Sequence, residues 1–250
     1  MEVTFRAAGV ELSGYLANPP TTPAEPPSVV LCHGFPTDEL GAAAIGVTMP
    51  MLADRIANEG WRALAFTFRG CGRSTGNFSL GGWLDDLIAA IAWLSDIEPT
   101  RGVWLAGFGT GGALSVCAGA RLPQIVGVAS LCAPADFDDW ANHPRRLLQH
   151  ARDIRAIADA DFPTVPEAWI RELREIRPVT EVERLAPRPL LLVHGSEDQS
   201  VPSFDARVVG DAHGSAELRI VSGAGHDLRH DPRAVAILLG WLDRERHRTE

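Results

Sequence analysis

The sequence contains no lysine, so its 23 Lys and Arg residues are all arginines. This absence excludes chemistry that needs a lysine amine: a Schiff base with a carbonyl substrate, a pyridoxal-phosphate lysine, and the lysine of a phosphate-binding P-loop. The chain also has a single tyrosine, Tyr15, close to its start. Reductases that work through a Tyr–Lys pair are therefore excluded as well.

An excess of positive charge is also absent. The 23 arginines face 32 Asp and Glu residues, which gives a formal net charge of −9. A nucleic-acid-binding protein needs a basic face, so no nucleic-acid partner is expected. The longest uncharged stretch, residues 102–120, is rich in glycine, which favours a buried strand, turn and helix over a membrane span. The charged first residues do not form a signal peptide, so we expect a cytoplasmic protein with no membrane partner.

Cysteine is sparse. The four cysteines form no C-x-x-C pair and have no metal-ligand spacing; they are Cys32, Cys71, Cys117 and Cys132. Each lies among apolar residues or glycines, which is typical of buried free thiols rather than disulfides. We therefore expect no metal and no cofactor.

Short apolar runs alternate with helical patterns along most of the 250 residues. After an antiparallel strand pair within residues 3–16, the apolar runs lie at 29–32, 62–66, 103–106, 125–131, 189–193 and 218–221. The helical patterns lie near 47–58, 82–94, 110–120, 169–185, 204–210 and 232–246. Continuous apolar runs between helices predict a mostly parallel sheet with helices on both faces, hence a single α/β domain over residues 1–250. Residues 136–180 have no strand pattern and predict a small helical cap over the carboxyl ends of the strands.

Four motifs follow these runs: His33-Gly34-Phe35, the glycine-rich loop 68–74, the segment Gly107-Phe108-Gly109-Thr110-Gly111-Gly112, and the pair formed by 194–202 and 223–227. Together, in this order and spacing, they resemble the α/β-hydrolase superfamily over nearly the whole chain. The most similar branch contains small single-domain esterases, peptidases and dienelactone-hydrolase-like enzymes. In that family the order along the chain is nucleophile, acid, histidine.

The resemblance implies a role for each matching residue. Asp198 is then the acid and His226 the base of a catalytic triad. The backbone N–H groups of Phe35 and Thr110 form the oxyanion hole. Thr110 is the first residue of a helix, and the helix dipole favours an anion at that end. His33 and His194, by contrast, are expected to be turn or packing residues.

The chain departs from the family at the nucleophile. The Gly-x-Ser-x-Gly elbow is replaced by Gly107-Phe108-Gly109-Thr110-Gly111, so Gly109 stands where the serine is expected. Glycine has no side chain that could attack a carbonyl or form an acyl-enzyme. It does adopt freely the strained backbone angles that an elbow requires. Ordinary serine-esterase turnover is therefore not expected.

Three functions remain open from the sequence. The first is a degenerate hydrolase that binds a small acyl or carbonyl ligand or performs base chemistry without a nucleophile. The second is an active ester hydrolase that uses water activated by His226 or another nucleophile; the candidates are Thr110, Cys32, Cys71 and Cys132. The third is a nucleotide-binding protein, because residues 107–112 also fit the Gly-x-Gly-x-x-Gly fingerprint and Asp136 follows at a suitable distance.

The remaining charged candidates are mostly structural in this interpretation. Asp85 and Asp86 are expected to favour the dipole of the helix that they open. The arginines of the loop 69–73 are expected to be solvated. A group of cap arginines either contacts an anionic substrate or forms a solvated helix face; these are Arg145, Arg146, Arg152 and Arg155. The oligomeric state is not predicted.

Overall fold

The computed structural model describes residues 1–21, 25–37, 41–97 and 99–248, and its central feature is an eight-stranded sheet in the order β1-β2-β4-β3-β5-β6-β7-β8. The strands are β1 (Glu2–Ala7), β2 (Val10–Ala17), β3 (Ser28–Cys32), β4 (Arg62–Phe66), β5 (Val103–Phe108), β6 (Ile125–Leu131), β7 (Leu190–Gly195) and β8 (Glu217–Val221). β1 and β2 are antiparallel to their neighbours, and the strands from β4 to β8 pair in parallel. The predicted α/β class is confirmed, because every predicted apolar run forms a strand.

Helices connect the strands. They are α1 (Gly41–Ala44), α2 (Met49–Asn58), α3 (Leu80–Ile97), α4 (Thr110–Arg121), α5 (Asp138–Asn142), α6 (Pro144–Asp153), α7 (Pro166–Glu175), α8 (Pro178–Glu181), α9 (Ser203–His213) and α10 (Pro232–Arg248), with short 3₁₀ turns at Val182–Arg184 and Leu228–His230. None of these helices is long and apolar enough to span a membrane.

The sheet separates two apolar layers because successive side chains of a strand point to opposite faces. In β3, for example, Val30 packs into the layer that contains α3, α4 and α9, whereas Val29 and Leu31 pack into the layer that contains α2 and α10. All three side chains are completely buried. Burial on both faces explains why these strands appear in the sequence as unbroken apolar runs.

The predicted helix over 169–185 is wrong in its extent. The chain leaves the helix after Glu175, passes through extended backbone at Ile176 and Arg177, and restarts at Pro178. Proline has no N–H to donate within a helix, and its ring pushes the preceding residue into extended conformation. The apolar periodicity of the sequence continues across Pro178, but the helical backbone hydrogen bonding is interrupted before it.

The segment between β6 and β7, where the sequence predicts the cap, contains helices α5 to α8 and no strand. Two hydrogen bonds fasten α7 to the start of α3. The indole Nε1–H of Trp169 donates to the Phe78 carbonyl at 3.2 Å, and the Glu172 carboxylate accepts from the Gly81 N–H at 3.0 Å. These bonds fix one end of the cap against the body of the protein.

Two expectations about charged residues are wrong. The Asp86 side chain is completely buried, and the guanidinium of Arg69 binds both of its oxygens, with the shortest contact at 2.7 Å. Arg69 is therefore not a solvated turn residue, and Asp86 acts through this ion pair rather than on the helix dipole. The apolar residues of α3 did not predict that Asp86, rather than its neighbour Asp85, is buried.

Two of the four cap arginines make local bonds. Arg146 pairs with Asp139 at 2.6 Å, and Arg152 donates to the carbonyls of Ala160 and Phe162, each at 3.1 Å. None of the four cap arginines lines the cavity beside Gly109 that is described below. Their positions therefore do not place them against a substrate bound beside Gly109.

Candidate active site

The turn between β5 and α4 carries Gly109. Its φ of +52° lies in the left-handed region that side chains disfavour, and its ψ is −125°. The Gly109 N–H donates to the Leu131 carbonyl at 2.8 Å, which ties the turn to the neighbouring strand β6. A Cβ built on Gly109 would lie 3.4 Å from Nε2 of His226. The turn therefore points residue 109 directly at the imidazole.

The glycines around this turn allow the backbone to pack closely. A Cβ on Gly111 would lie only 2.3 Å from the His33 carbonyl oxygen, and a Cβ on Gly34 would lie 3.1 Å from the Phe108 carbonyl oxygen. Close packing within the β5–α4 turn likewise accounts for Gly107 and Gly112 of the nucleotide-binding fingerprint, where a Cβ would lie 2.3 Å and 2.8 Å from the nearest backbone carbonyl oxygen. Asp136, the acid that this alternative needs, is paired with Arg177 at 3.2 Å.

Asp198 and His226 come from the loops after β7 and β8 and meet as the resemblance implied. His226 Nδ1 lies 2.8 Å from Oδ2 of Asp198. The Asp198 side chain is completely buried, whereas the imidazole of His226 is 29% exposed. The ring therefore has one nitrogen fixed by a carboxylate and the other facing Gly109.

The Asp198 carboxylate is held by several donors. Its Oδ1 accepts from the backbone N–H groups of Ser200 and Val201, each at 2.9 Å. Burial alone would raise the pKa of Asp198, but hydrogen bonds from His194, His226 and the Val201 N–H outweigh it and hold this pKa far below its usual range. Asp198 is therefore ionised at neutral pH and orients the imidazole of His226.

His194 is more than the packing residue that we expected. Its Nε2 lies 2.9 Å from the Val201 carbonyl oxygen and 3.3 Å from Oδ2 of Asp198. Both partners accept hydrogen bonds, so the proton of the neutral ring belongs on Nε2. His194 thus positions the carboxylate that positions His226; its place four residues before Asp198 was the sequence signal.

His33 is completely buried and fastens the β3 loop. Its Nδ1 lies 2.7 Å from the Gly34 carbonyl oxygen, and its Nε2 accepts the Phe68 N–H at 3.1 Å. Burial lowers the pKa of His33 to about 4. The neutral ring therefore fixes the loop that carries Phe35.

The candidate substitute nucleophiles are poorly suited to attack. All four cysteines are free and buried, as expected. Burial raises the pKa of Cys32 to about 12 and raises the pKa values of Cys71 and Cys132 further still. The thiolate, which is the reactive form, is therefore scarce near neutral pH. Thr110 is only 5% exposed.

One group among the described residues could hold a metal ion. The ligand atoms of Cys132, His194 and Asp198 all lie within 4.8 Å of one another. A metal would need the Cys132 thiolate, whose formation burial opposes. It would also compete for the Asp198 carboxylate that already binds two imidazoles. The group fits a hydrogen-bonded cluster around Asp198 better than a metal centre.

A cavity of about 280 Å³ opens on Gly109 and His226. Phe35 and Thr110, the predicted oxyanion residues, line it. Thr110 is the first residue of α4, so its N–H has no carbonyl partner within the helix. The other lining residues come from the β3 loop, the segment after β6 including the cap, the β7 loop and the start of α9; they are Thr37, Pro134, Asp136, Phe137, Asp139, Trp140, Ser200, Val201, Pro202 and Asp205. Sequence reasoning missed these residues as a group, although the acidic and aromatic run at 136–140 begins only a few residues after the end of β6.

Comparison with known proteins establishes the class. A model of the alpha/beta hydrolase family matches residues 29–237, and the chain therefore belongs to this family.

Solved structures that resemble the chain include three hydrolases. The alpha/beta hydrolase GrgF from Penicillium sp. sh18 is 19% identical, with 97% of this chain and 96% of that chain covered and a TM-score of 0.74. Est1E from Butyrivibrio proteoclasticus, with ferulic acid bound, is 18% identical, with coverages of 99% and 98% and a TM-score of 0.75. The Pyrococcus furiosus esterase Pf2001 is 19% identical, with coverages of 98% and 91% and a TM-score of 0.70. At these identities the likeness concerns the fold.

Proposed function

We propose that this protein binds a small acyl or carbonyl compound beside Gly109 and lacks the acyl-enzyme route of serine hydrolases. One observation carries the proposal: a side chain at residue 109 would start 3.4 Å from His226 Nε2, yet the residue there is glycine. The hydrogen bond between His226 and Asp198 is present at 2.8 Å. The base and its orienting acid are thus arranged for a nucleophile that the chain does not have.

The geometry suggests how a carbonyl ligand would lie. Its oxygen would accept from the N–H groups of Phe35 and Thr110, where the amino end of α4 favours developing negative charge. Its carbonyl carbon would stand over Gly109, within reach of His226. Est1E, which shares the fold, holds ferulic acid in its solved structure, and this supports a small carbonyl compound as the ligand.

A slower reaction is the second candidate. Because the Nε2 of His226 faces the side of Gly109 where a serine would stand, it is placed to take a proton from a water molecule that attacks the carbonyl. This route forms no acyl-enzyme, and removing the nucleophile from a triad leaves only about 10³–10⁴-fold catalysis over water. We therefore expect weak turnover that depends on His226.

The variant Gly109→Ser tests the proposal. With Cβ 3.4 Å from His226 Nε2, a serine rotamer that turns Oγ toward the ring brings it within the roughly 2.6–3.2 Å that a nucleophile–base hydrogen bond needs. We expect the rate of p-nitrophenyl acetate hydrolysis to rise at least about tenfold. This increase is much smaller than the ~10⁶-fold that an optimised triad contributes to the rate.

The matched control is Gly109→Ala, which carries the same backbone strain without a hydroxyl and is expected to stay at the wild-type rate. His226→Ala should remove both the gain in Gly109→Ser and any residual turnover of the natural protein. A stoichiometric burst of p-nitrophenolate from the wild-type chain would contradict the proposal, because a burst requires an acyl-enzyme.

A further inference from the structure

One wall of the cavity beside Gly109 is aromatic. Phe35, Phe137 and Trp140 all line it. The ring of Trp140 lies 5.1 Å from that of Phe35 and 5.2 Å from that of Phe137, centroid to centroid. Phe35 comes from the β3 loop, whereas Phe137 and Trp140 come from the cap. The cap and the body of the protein thus build a cluster of aromatic rings next to the candidate reaction centre.

The same cavity carries three carboxylates and no arginine among its lining residues, although the chain has 23 basic residues. Two of the carboxylates are neutralised at the rim: Asp136 by Arg177 at 3.2 Å, and Asp139 by Arg146 at 2.6 Å. His226 is the one basic side chain in the lining. With two carboxylates paired and no arginine in the lining, the charge that this wall presents to a ligand depends on the third carboxylate.

The third carboxylate, Asp205, differs from the other two. It lies in the first turn of α9 and accepts the Ala135 N–H at 3.0 Å, but it forms no ion pair within the described part of the chain. Burial raises the pKa of Asp205 above its usual value, and the hydrogen bond from Ala135 opposes this only in part. A half-buried carboxylate without a counterion gains most from a cation that a ligand brings.

From this lining we propose that the cavity selects a carbonyl or acyl compound that carries a positively charged ammonium group, with the ammonium against Trp140, Phe35 and Phe137 and its charge facing Asp205. The inference rests on the proposed function, which places the carbonyl at Gly109. Aromatic faces attract ammonium cations, most strongly where water is excluded, and indole is the best of them. A volume of about 280 Å³ suits a small ester rather than a long acyl chain.

Two ligands of equal shape test the charge directly. The cationic ligand is acetylcholine, the acetate ester of 2-(trimethylammonio)ethanol. The neutral ligand is 3,3-dimethylbutyl acetate, in which a carbon atom replaces the charged nitrogen. Binding to the wild-type chain is measured by calorimetry and by thermal shift at low and high salt. We expect the cationic ester to bind at least about tenfold more tightly than its neutral isostere, with a preference that falls as salt rises. Equal affinity for the two esters, or binding of neither, would overturn the inference.

Variants assign the preference to residues. Asp205→Asn keeps an oxygen for the Ala135 N–H but removes the charge, and it should reduce the preference for the cation to within about threefold. The matched control Asp211→Asn lies on the same helix, is exposed and is absent from the cavity lining, so it should keep the full preference. Trp140→Leu should weaken the cationic ester more than the neutral one. A preference that survives Asp205→Asn would show that Asp205 does not set it and would contradict the assignment.

The Gly109→Ser variant separates this inference from the proposed function. Faster hydrolysis of the cationic ester than of its isostere supports both. Hydrolysis of the two esters at equal rates keeps the proposed function and overturns the charge preference. If Gly109→Ser hydrolyses neither ester while the wild-type chain still binds the cationic one more tightly, the charge preference stands and the proposed role of the Asp198–His226 pair fails.

Discussion

At the scale of the residue, His33 shows how burial sets a charge state. Its imidazole is completely buried between the rings of Phe68 and Trp83, with centroid distances of 5.0 and 5.4 Å. Both ring nitrogens have backbone partners, one accepting and one donating, which only the neutral ring can satisfy. Protonation would place a charge inside an aromatic cluster.

The depressed pKa of His33 makes the stability of the fold depend on pH. The folded protein holds His33 neutral down to about pH 4, whereas the unfolded chain protonates it near pH 6.5. Its stabilising contribution is therefore complete above about pH 6.5 and is lost as the pH falls toward 4, with a maximum loss of about 3 kcal/mol. Urea unfolding from pH 7.5 to 4 measures the slope.

Comparison with His33→Gln isolates this residue, because glutamine keeps a donor and an acceptor and does not titrate. The difference in unfolding free energy between wild type and variant should shrink as the pH falls through this window. Parallel pH curves for the two proteins would show that His33 does not cause the dependence.

At the scale of the element, the Arg69–Asp86 pair ties the loop after β4 to helix α3. The Asp86 carboxylate accepts the Arg69 backbone N–H at 2.8 Å as well as the guanidinium. Little solvent reaches either side chain to hydrate a lone charge, with side-chain exposures of 15% for Arg69 and 0% for Asp86. Removing one partner of such a pair leaves the other buried and uncompensated.

We expect Asp86→Asn to lower the unfolding free energy by about 3–5 kcal/mol. The neighbouring Asp85 is exposed, and Asp85→Asn should change the stability by less than about 0.5 kcal/mol. Equilibrium denaturation of both variants checks the contrast. Equal losses from the two substitutions would mean that the ion pair contributes little.

Elements also show where sequence reasoning ends. The buried strands were predictable, because residues such as Val30 and Leu105 belong to continuous apolar runs. That Gly109, Asp198 and His226 lie together followed from the resemblance of their motifs to the α/β-hydrolase superfamily. The inward turn of Asp86 and the break before Pro178 depended on tertiary contacts and local backbone geometry that a periodic pattern does not contain. The aromatic wall at Trp140 required knowing how the cap folds over the sheet.

At the scale of the whole molecule, the site is assembled from distant parts of the chain. The loops after β3, β5, β7 and β8 all contribute, and the cap closes one side. Carboxyl ends of parallel strands meet at one edge of a sheet, which is where open α/β proteins bind ligands. The attachment of the cap therefore matters for the shape of the cavity.

Glu172→Ala tests that attachment. It removes the acceptor of the Gly81 N–H, a bond worth roughly 1 kcal/mol. Hydrogen exchange in α7 should become about fivefold faster, while exchange in α10 stays unchanged. The control Glu175→Ala alters an exposed residue of the same helix. If both variants exchange alike, the contact between Glu172 and Gly81 does not hold the cap.

The glycine at the β5–α4 turn also affects how this protein is detected. Fluorophosphonate reagents report on hydrolases by bonding to an activated serine oxygen, and residue 109 offers them no oxygen. A cell extract profiled with such reagents would leave this turn unmarked, however abundant the protein. Covalent labelling and comparison of folds would therefore classify this chain differently, the first as unreactive at residue 109 and the second as a member of the family.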